Sequence, residues 1–146
     1  MGPLVDFKEL SEMFPFHDEI RKVTVTGLQL KGMIEYLFRP EALESDHSEF
    51  YQFSEDMRVV VSLREQEVLE ITYEGKPLDE NRFYKVGLQG YHFRNMKDIF
   101  GITEEEVKQY AGCKVMATNS MDVLDDLLSQ TELVVCPEDQ RWITIE

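Results

Sequence analysis

What the sequence lacks narrows it most. Only two cysteines occur, Cys113 and Cys136, far apart and without a nearby second thiol. A disulfide framework or a cysteine zinc site needs more than that. Two free thiols in a reducing compartment is the plain expectation, with a single disulfide left open. The three histidines, His17, His47 and His92, are scattered and lack metal-ligand spacing. No Walker loop, GxGxxG, GxSxG or HExxH pattern is present, so the common signatures of nucleotide hydrolysis, dinucleotide binding, ester hydrolysis and zinc proteolysis are missing. No apolar run approaches the length of a membrane span, and the N-terminus shows no basic-then-apolar signal pattern, so no membrane partner is expected. The thiols and the missing signal fit the cytoplasm slightly better than export. Positive charge is also scarce: 15 Lys and Arg against 29 Asp and Glu leave a net charge of −14. A phosphate backbone is repelled on average by such a chain. The densest basic clusters, Arg21-Lys22 and Arg94 with Lys97, are too thin to offset this, and no nucleic-acid partner is expected.

What is present is a globular composition, 42% hydrophobic and 11% aromatic over 146 residues. That length fits one domain, residues 1–146, with a sizeable core. The stretch 20–38, IRKVTVTGLQLKGMIEYLF, organises the rest. Its first half is β-branched and alternates, which favours a strand over 20–26. Its second half places Leu28, Leu30, Met33, Ile34, Leu37 and Phe38 near helical spacing. Thr26 supplies a hydroxyl cap, Gly27 the joint, and Pro40 stops the helix. Just upstream, Phe14-Pro15-Phe16 is an apolar knot with a fixed bend.

Along the chain, Asp6 caps a short helix carrying Phe7, Leu10 and Met13. Residues 41–49, with Asp46, His47 and Ser48, read as a surface loop, and Phe50-Tyr51-Gln52-Phe53 as a short aromatic strand. Residues 57–63 and 68–73 flank the charged turn Arg64-Glu65-Gln66-Glu67, a hairpin signature. Glu74-Gly75-Lys76-Pro77-Leu78 is a second turn, followed by a strand over 82–88. Aromatics then mix with Arg94, Asn95, Lys97 and Asp98 until Gly101. Thr103-Glu104-Glu105-Glu106 is a capping box opening a helix to about Tyr110. A short strand is expected over 114–117, a helix capped by Asn119 or Ser120 to about Gln130, and a last strand over 141–145. The sum is α+β, a mixed α/β domain whose largely antiparallel, meandering sheet packs with helices.

The residues themselves offer little catalysis. Adjacent His17 and Asp18 rarely face one another, so a turn outweighs a general-base pair there. Asp122, Asp125 and Asp126 alternate with leucines on a helix and read as a solvated face. Glu104 to Glu106 suit a helix N-terminus. Two aromatic spots carry more: Phe50, Tyr51 and Phe53 on one strand, and Tyr91 and Phe93 at the end of another. Such a pair either belongs to the core or converges on a cleft and stacks a flat ligand.

Taken in order, the motifs resemble the C-terminal domain of the 5′-nucleotidase family. They are Phe14-Pro15-Phe16, then Val23-Thr24-Val25-Thr26-Gly27 with Leu30, then Phe50-Tyr51-Gln52-Phe53-Ser54, the turn Gly75-Lys76-Pro77-Leu78, and Phe83-Tyr84-Lys85-Val86. The resemblance implies a domain that binds the nucleoside part of a substrate, while a separate N-terminal metallophosphatase domain, not contained in these residues, holds two divalent metals and cleaves the phosphate. It implies that Phe50 is the first base-stacking aromatic and that Tyr91 matches the second. The family's ribose-binding aspartate lies in a G-G-D-G loop; here that loop reads Asn95-Met96-Lys97-Asp98-Ile99, and Asp98 is the nearest match. Glycines let a backbone approach a ligand closely, whereas Met96 and Lys97 would crowd it and favour a different path. The family's upstream helix and N-G-G-x-R segment have no counterpart, so the chain starts inside the domain or has lost them.

The expected function is therefore nucleoside or nucleotide binding within a 5′-nucleotidase-type phosphoric ester hydrolase, with no catalysis and no cofactor in this chain alone. The competing expectation is a degenerate module for interdomain packing or for a homodimer. An independent enzyme using His17 or His47 finds little support.

Overall fold

The computed structural model describes residues 6–44 and 51–131, and the backbone of a strand at 142–145. The chain opens with helix α1 (Phe7–Met13), whose first turn is closed by a reciprocal cap. The Glu9 N–H donates to the Asp6 carboxylate at 2.8 Å, and the Asp6 N–H donates to the Glu9 carboxylate at 3.0 Å. Such a pair satisfies two otherwise orphaned donors. Strand β1 (Ile20–Thr26) follows and runs without a loop into α2 (Gly27–Leu37). Thr26 is both the last strand residue and the helix cap: its hydroxyl accepts from the Gln29 N–H at 3.2 Å, and the Gln29 side chain accepts from the Thr26 N–H at 2.9 Å. Pro40 ends this direction and opens the single turn α3 (Pro40–Leu43).

The expected hairpin is present as β2 (Met57–Ser62) and β3 (Glu67–Tyr73), and Glu74 and Gly75, both with positive φ, turn the chain into the short β4 (Lys76–Pro77). Strand β5 (Phe83–Gln89) leads into α4 (Gly90–Arg94) and α5 (Met96–Phe100). Gly101 closes α5 at φ 69° with the Tyr36 ring against its Cα, so neither the backbone nor the space admits a side chain there. Helix α6 (Glu104–Lys108), strand β6 (Lys114–Ala117), helix α7 (Ser120–Ser129) and strand β7 (Trp142–Ile145) complete the order.

The expected antiparallel character holds, but the strands divide into two sheets, β5-β1-β6 and β4-β3-β2-β7. The last pair, β2 with β7, is parallel. Two further expectations are corrected. Residues 51–53 form no strand; they line a cleft together with β5 without joining a ladder, and the Tyr51 and Phe53 rings pack instead. Helix α6 stops at Lys108, two residues before Tyr110.

The core lies between the inner faces of both sheets and the helices. Val23 and Val25 of β1 and Val59 and Val61 of β2 are fully buried, as is Val107 of α6. Each such valine contributes about 1.5–3 kcal/mol of transfer free energy. Of the predicted apolar face of α2, Leu30, Met33, Ile34 and Phe38 close the layer with Leu37 packed against it, whereas Leu28, in the first turn, points outward and is 60% exposed. Cys113 is a free thiol partly buried against this core, and burial pushes its pKa upward, the reverse of what an activated nucleophile needs. Cys136 lies outside the described residues. No helix among the described residues is long and apolar enough to cross a membrane.

Candidate functional site

Strand β5 delivers the chain to α4, and this helix carries Tyr91, one of the residues expected at a site. Tyr91 lies in its first turn with 52% of its surface exposed. Its position is fixed by a residue far away in sequence. The Asp18 carboxylate accepts from the Tyr91 N–H at 3.1 Å and from Arg94 Nη2 at 2.9 Å, bridging the start and end of one helical turn. Next to it, the Gly90 N–H donates to the Glu19 carbonyl at 2.7 Å. The Arg94 hydrogen bond, helped by the Tyr91 N–H, holds the Asp18 carboxyl below its ordinary value of 3.8. The Asp18 carbonyl also accepts from the Ser120 N–H at 2.8 Å, so one residue ties the N-termini of α4 and α7 together. The plain reading of Asp18 as a turn residue missed this, because its partners are 73 and 76 residues away. The only local signal was an acid placed between two aromatics and a strand.

Asp98 lies in the first turn of α5, exposed, and its carboxylate makes no ion pair or hydrogen bond with other described residues. The segment bearing it, expected to differ from a glycine loop because Met96 and Lys97 would crowd a ligand, is a helical turn. Met96 does not crowd the surface; it turns inward and is only 2% exposed. Asn95 joins the two helical turns, its side-chain amide donating to the Tyr91 carbonyl at 2.8 Å. Tyr91 and Asp98 thus belong to one packed pair of helical turns.

Phe50 lies outside the described residues. Its neighbour Tyr51 places an edge against the His92 ring at 5.5 Å and lies 6.1 Å from Phe100. His92 in turn meets Tyr91 edge-on at 5.5 Å. A continuous run of rings therefore links residue 51 to Tyr91, at the separations preferred by aromatic pairs.

Beside this run opens a cleft of about 840 Å³. One wall is β5 along its whole length; another is the segment 51–54; Leu30, Met33 and Ile34 of α2 form the floor. Arg82, Lys85 and His92 line it, and among the described residues no Asp or Glu does, although 29 of the 146 residues are acidic. Arg82 packs over Tyr73 and Tyr84 at 5.6 and 5.3 Å. Among the described residues, no group of three or more His, Cys, Asp or Glu is placed to hold a metal ion, so these residues do not fit a divalent centre.

The fold has known relatives. A model of the 5′-nucleotidase C-terminal domain matches residues 2–104, a span that includes Tyr91 and Asp98. No curated protein matches the chain. Among solved structures, the chain is similar to a 5′-nucleotidase precursor of Thermus thermophilus, with a TM-score of 0.74 at 16% identity, covering 97% of this chain and 28% of that one. The NAD nucleotidase of Haemophilus influenzae superimposes with the same TM-score, 0.74, at 12% identity, covering 97% and 27%. The sulfate thiohydrolase SoxB of Thermus thermophilus gives 0.60 at 20% identity, covering 99% and 26%. At these identities the likeness is one of fold, and the chain spans little more than a quarter of each of these proteins. The family model, matching well over half of the residues, is the stronger finding: the chain belongs to the 5′-nucleotidase C-terminal domain family.

Proposed function

We propose that this domain recognises the nucleoside part of a nucleotide on behalf of a 5′-nucleotidase-type phosphatase. Phe50 and Tyr91 sandwich the base, and Asp98 accepts hydrogen bonds from the sugar hydroxyls. Hydrolysis belongs to a metallophosphatase domain with two divalent metals, against which this domain packs; these residues alone do not hydrolyse. The observation that carries the reading is the contact of Tyr51 with His92, which brings the chain immediately following Phe50 to the helix of Tyr91. The exposure of Tyr91, its anchoring through Asp18 and the unpartnered carboxylate of Asp98 support it further. Stacking on an aromatic is worth about 1–3 kcal/mol per base.

A second reading has its own support. The turn that would hold the ribose is helical and anchored by the buried Met96, which favours a packing or dimerisation module without a small-molecule site. An amide-resolved NMR titration with adenosine and AMP separates the two. Shifts around Tyr91 and Asp98, lost in Phe50→Ala and in Tyr91→Ala, are expected. Their absence at millimolar ligand, in both this chain and one joined to a metallophosphatase domain, would sink the clamp and leave the packing module.

A further inference from the structure

We propose that the cleft along β5 receives an extended segment of a partner polypeptide, which adds a fourth strand to the three-stranded sheet. Strand β5 is the edge of that sheet, bonded to β1 on one side only. Along its other side, no backbone group of residues 83–89 bonds to another described residue. Seven residues of open strand present about 23 Å of unpaired donors and acceptors. Natural edges of this length are commonly protected by proline, by a bulge or by a covering element. Here β5 contains no proline, pairs with β1 in unbroken register, and faces a cleft instead of a cover.

The walls of the cleft define the occupant. A strand added to β5 has side chains alternating between two environments. On one side they meet Tyr84, Leu88 and the α2 floor of Leu30, Met33 and Ile34, which is apolar. On the other side they lie beside Phe83, Lys85 and Gln89, whereas Arg82, at the strand's start, stacks on Tyr73 and Tyr84 of the first side. Lys85 is exposed and makes no ion pair with any described residue, while Arg82 has only a long one, 3.8 Å to Glu74. Among the described residues the lining carries Arg82 and Lys85 and no carboxylate, which favours negative charge in the occupant. The partner segment therefore alternates apolar with acidic residues, an acid standing opposite Lys85. This surface runs along β5, and it adjoins the region of the stacking pair at Tyr51 and His92.

The test uses the protein in dilute solution and a capped peptide of alternating valine and glutamate, about nine residues long. Amide-resolved NMR with hydrogen exchange should show alternate β5 amides shifting and gaining protection. Methylating the peptide nitrogens on its β5-facing side should abolish binding, while methylating the intervening ones should leave it. Lys85→Glu, an exposed substitution, should weaken binding about fivefold, and a valine–lysine peptide should bind no better than that variant. The proposal is overturned if β5 is unmoved at millimolar peptide, or if both peptides bind equally. It is also overturned if shifts are confined to Tyr91 and Asp98, or if β5 amides are already protected in a concentration-dependent dimer, which would make a second copy the occupant.

Discussion

Strands β1 and β5 are equally long, pair residue for residue and alternate in the same way, yet they live in different surroundings. β1 is the centre of its sheet, with β5 on one side and β6 on the other. Its inward residues Val23 and Val25 are fully buried. β5 has the same inward pattern in Tyr84, Val86 and Leu88, but one edge is open to the cleft and Val86 is only partly buried. Composition and period decide which face of a strand is covered; the number of neighbours is decided by topology. The central strand is therefore where the fold is held, and the edge strand is where a site has room to exist.

The sharpest way to break this contrast is at Gly27, where β1 ends. A Cβ there would lie 2.0 Å from the Asp79 carbonyl oxygen, in the connection that leads into β5. The same junction is pinned by the Gly27 N–H to Arg82 and the Leu28 N–H to Glu80, at 2.8 and 3.0 Å. Backbone cannot move aside as a side chain does. Gly27→Ala should cost about 3 kcal/mol or more and abolish the cooperative thermal transition at physiological temperature. A melting curve like that of the parent would show that β1 and the β5 connection are not so closely joined.

Within the strands, Val25→Ala should cost about 2 kcal/mol and Val86→Ala about 1 kcal/mol, since only the former leaves a fully enclosed cavity. Urea denaturation with an unchanged m-value would report this. Equal losses would mean that β5 is as well covered as β1, and the cleft would then not be an open one.

How much of this was readable beforehand follows the same division. The faces were legible: the alternation of 20–26 and the helical spacing of Leu30, Met33 and Ile34 place each of these residues as expected. The caps were legible too, because Asp6, Thr26, Thr103 and Asn119 act on neighbours within three residues. What period cannot carry is the identity of a neighbour. The split into two sheets and the parallel pairing of β7 with β2 are decided by chain crossings. The aromatics of 51–53 have strand propensity, yet Tyr51 packs with His92 and Phe100 and Phe53 with the core, and no ladder forms. At the site, Tyr91 was visible as an aromatic at the end of a strand and Asp98 only through motif resemblance, whereas Asp18, which positions Tyr91, has partners 73 and 76 residues away and only a weak local signal.

Asp18 gives the next smaller effect, at the joint between β5 and α4. Asp18→Asn keeps the shape but removes the charge-assisted bond to Arg94, so a loss of about 1 kcal/mol is expected. The sign with pH is fixed. The folded-state pKa lies below the ordinary 3.8, so the carboxylate's contribution is complete above that value and is lost as pH falls through the lowered folded value. The difference between parent and Asp18→Asn should thus be constant at neutral pH and shrink in acid below about 3.8. A difference that grows in acid would contradict the assignment. Tyr91 amide shifts should move in the variant while those of β1 stay put.

The smallest effect is expected on the outer face of β1, where it meets its other neighbour. Lys22 stands directly opposite Lys114 of β6, and neither makes an ion pair with a described residue. Directly opposed residues in an antiparallel pair have Cβ atoms about 5 Å apart, so the two ammonium groups repel, though solvent screens most of it. Lys114→Glu should convert a weak repulsion into a weak attraction and stabilise the protein by about 0.3 kcal/mol. That gain should vanish near 1 M salt, where charges are screened within about 3 Å. The inner face of the same strand tolerates no such exchange, because Val23 beside it has no water to share the charge. A destabilised Lys114→Glu variant would place an acidic group over this face and make it a covered surface, as the inner one is.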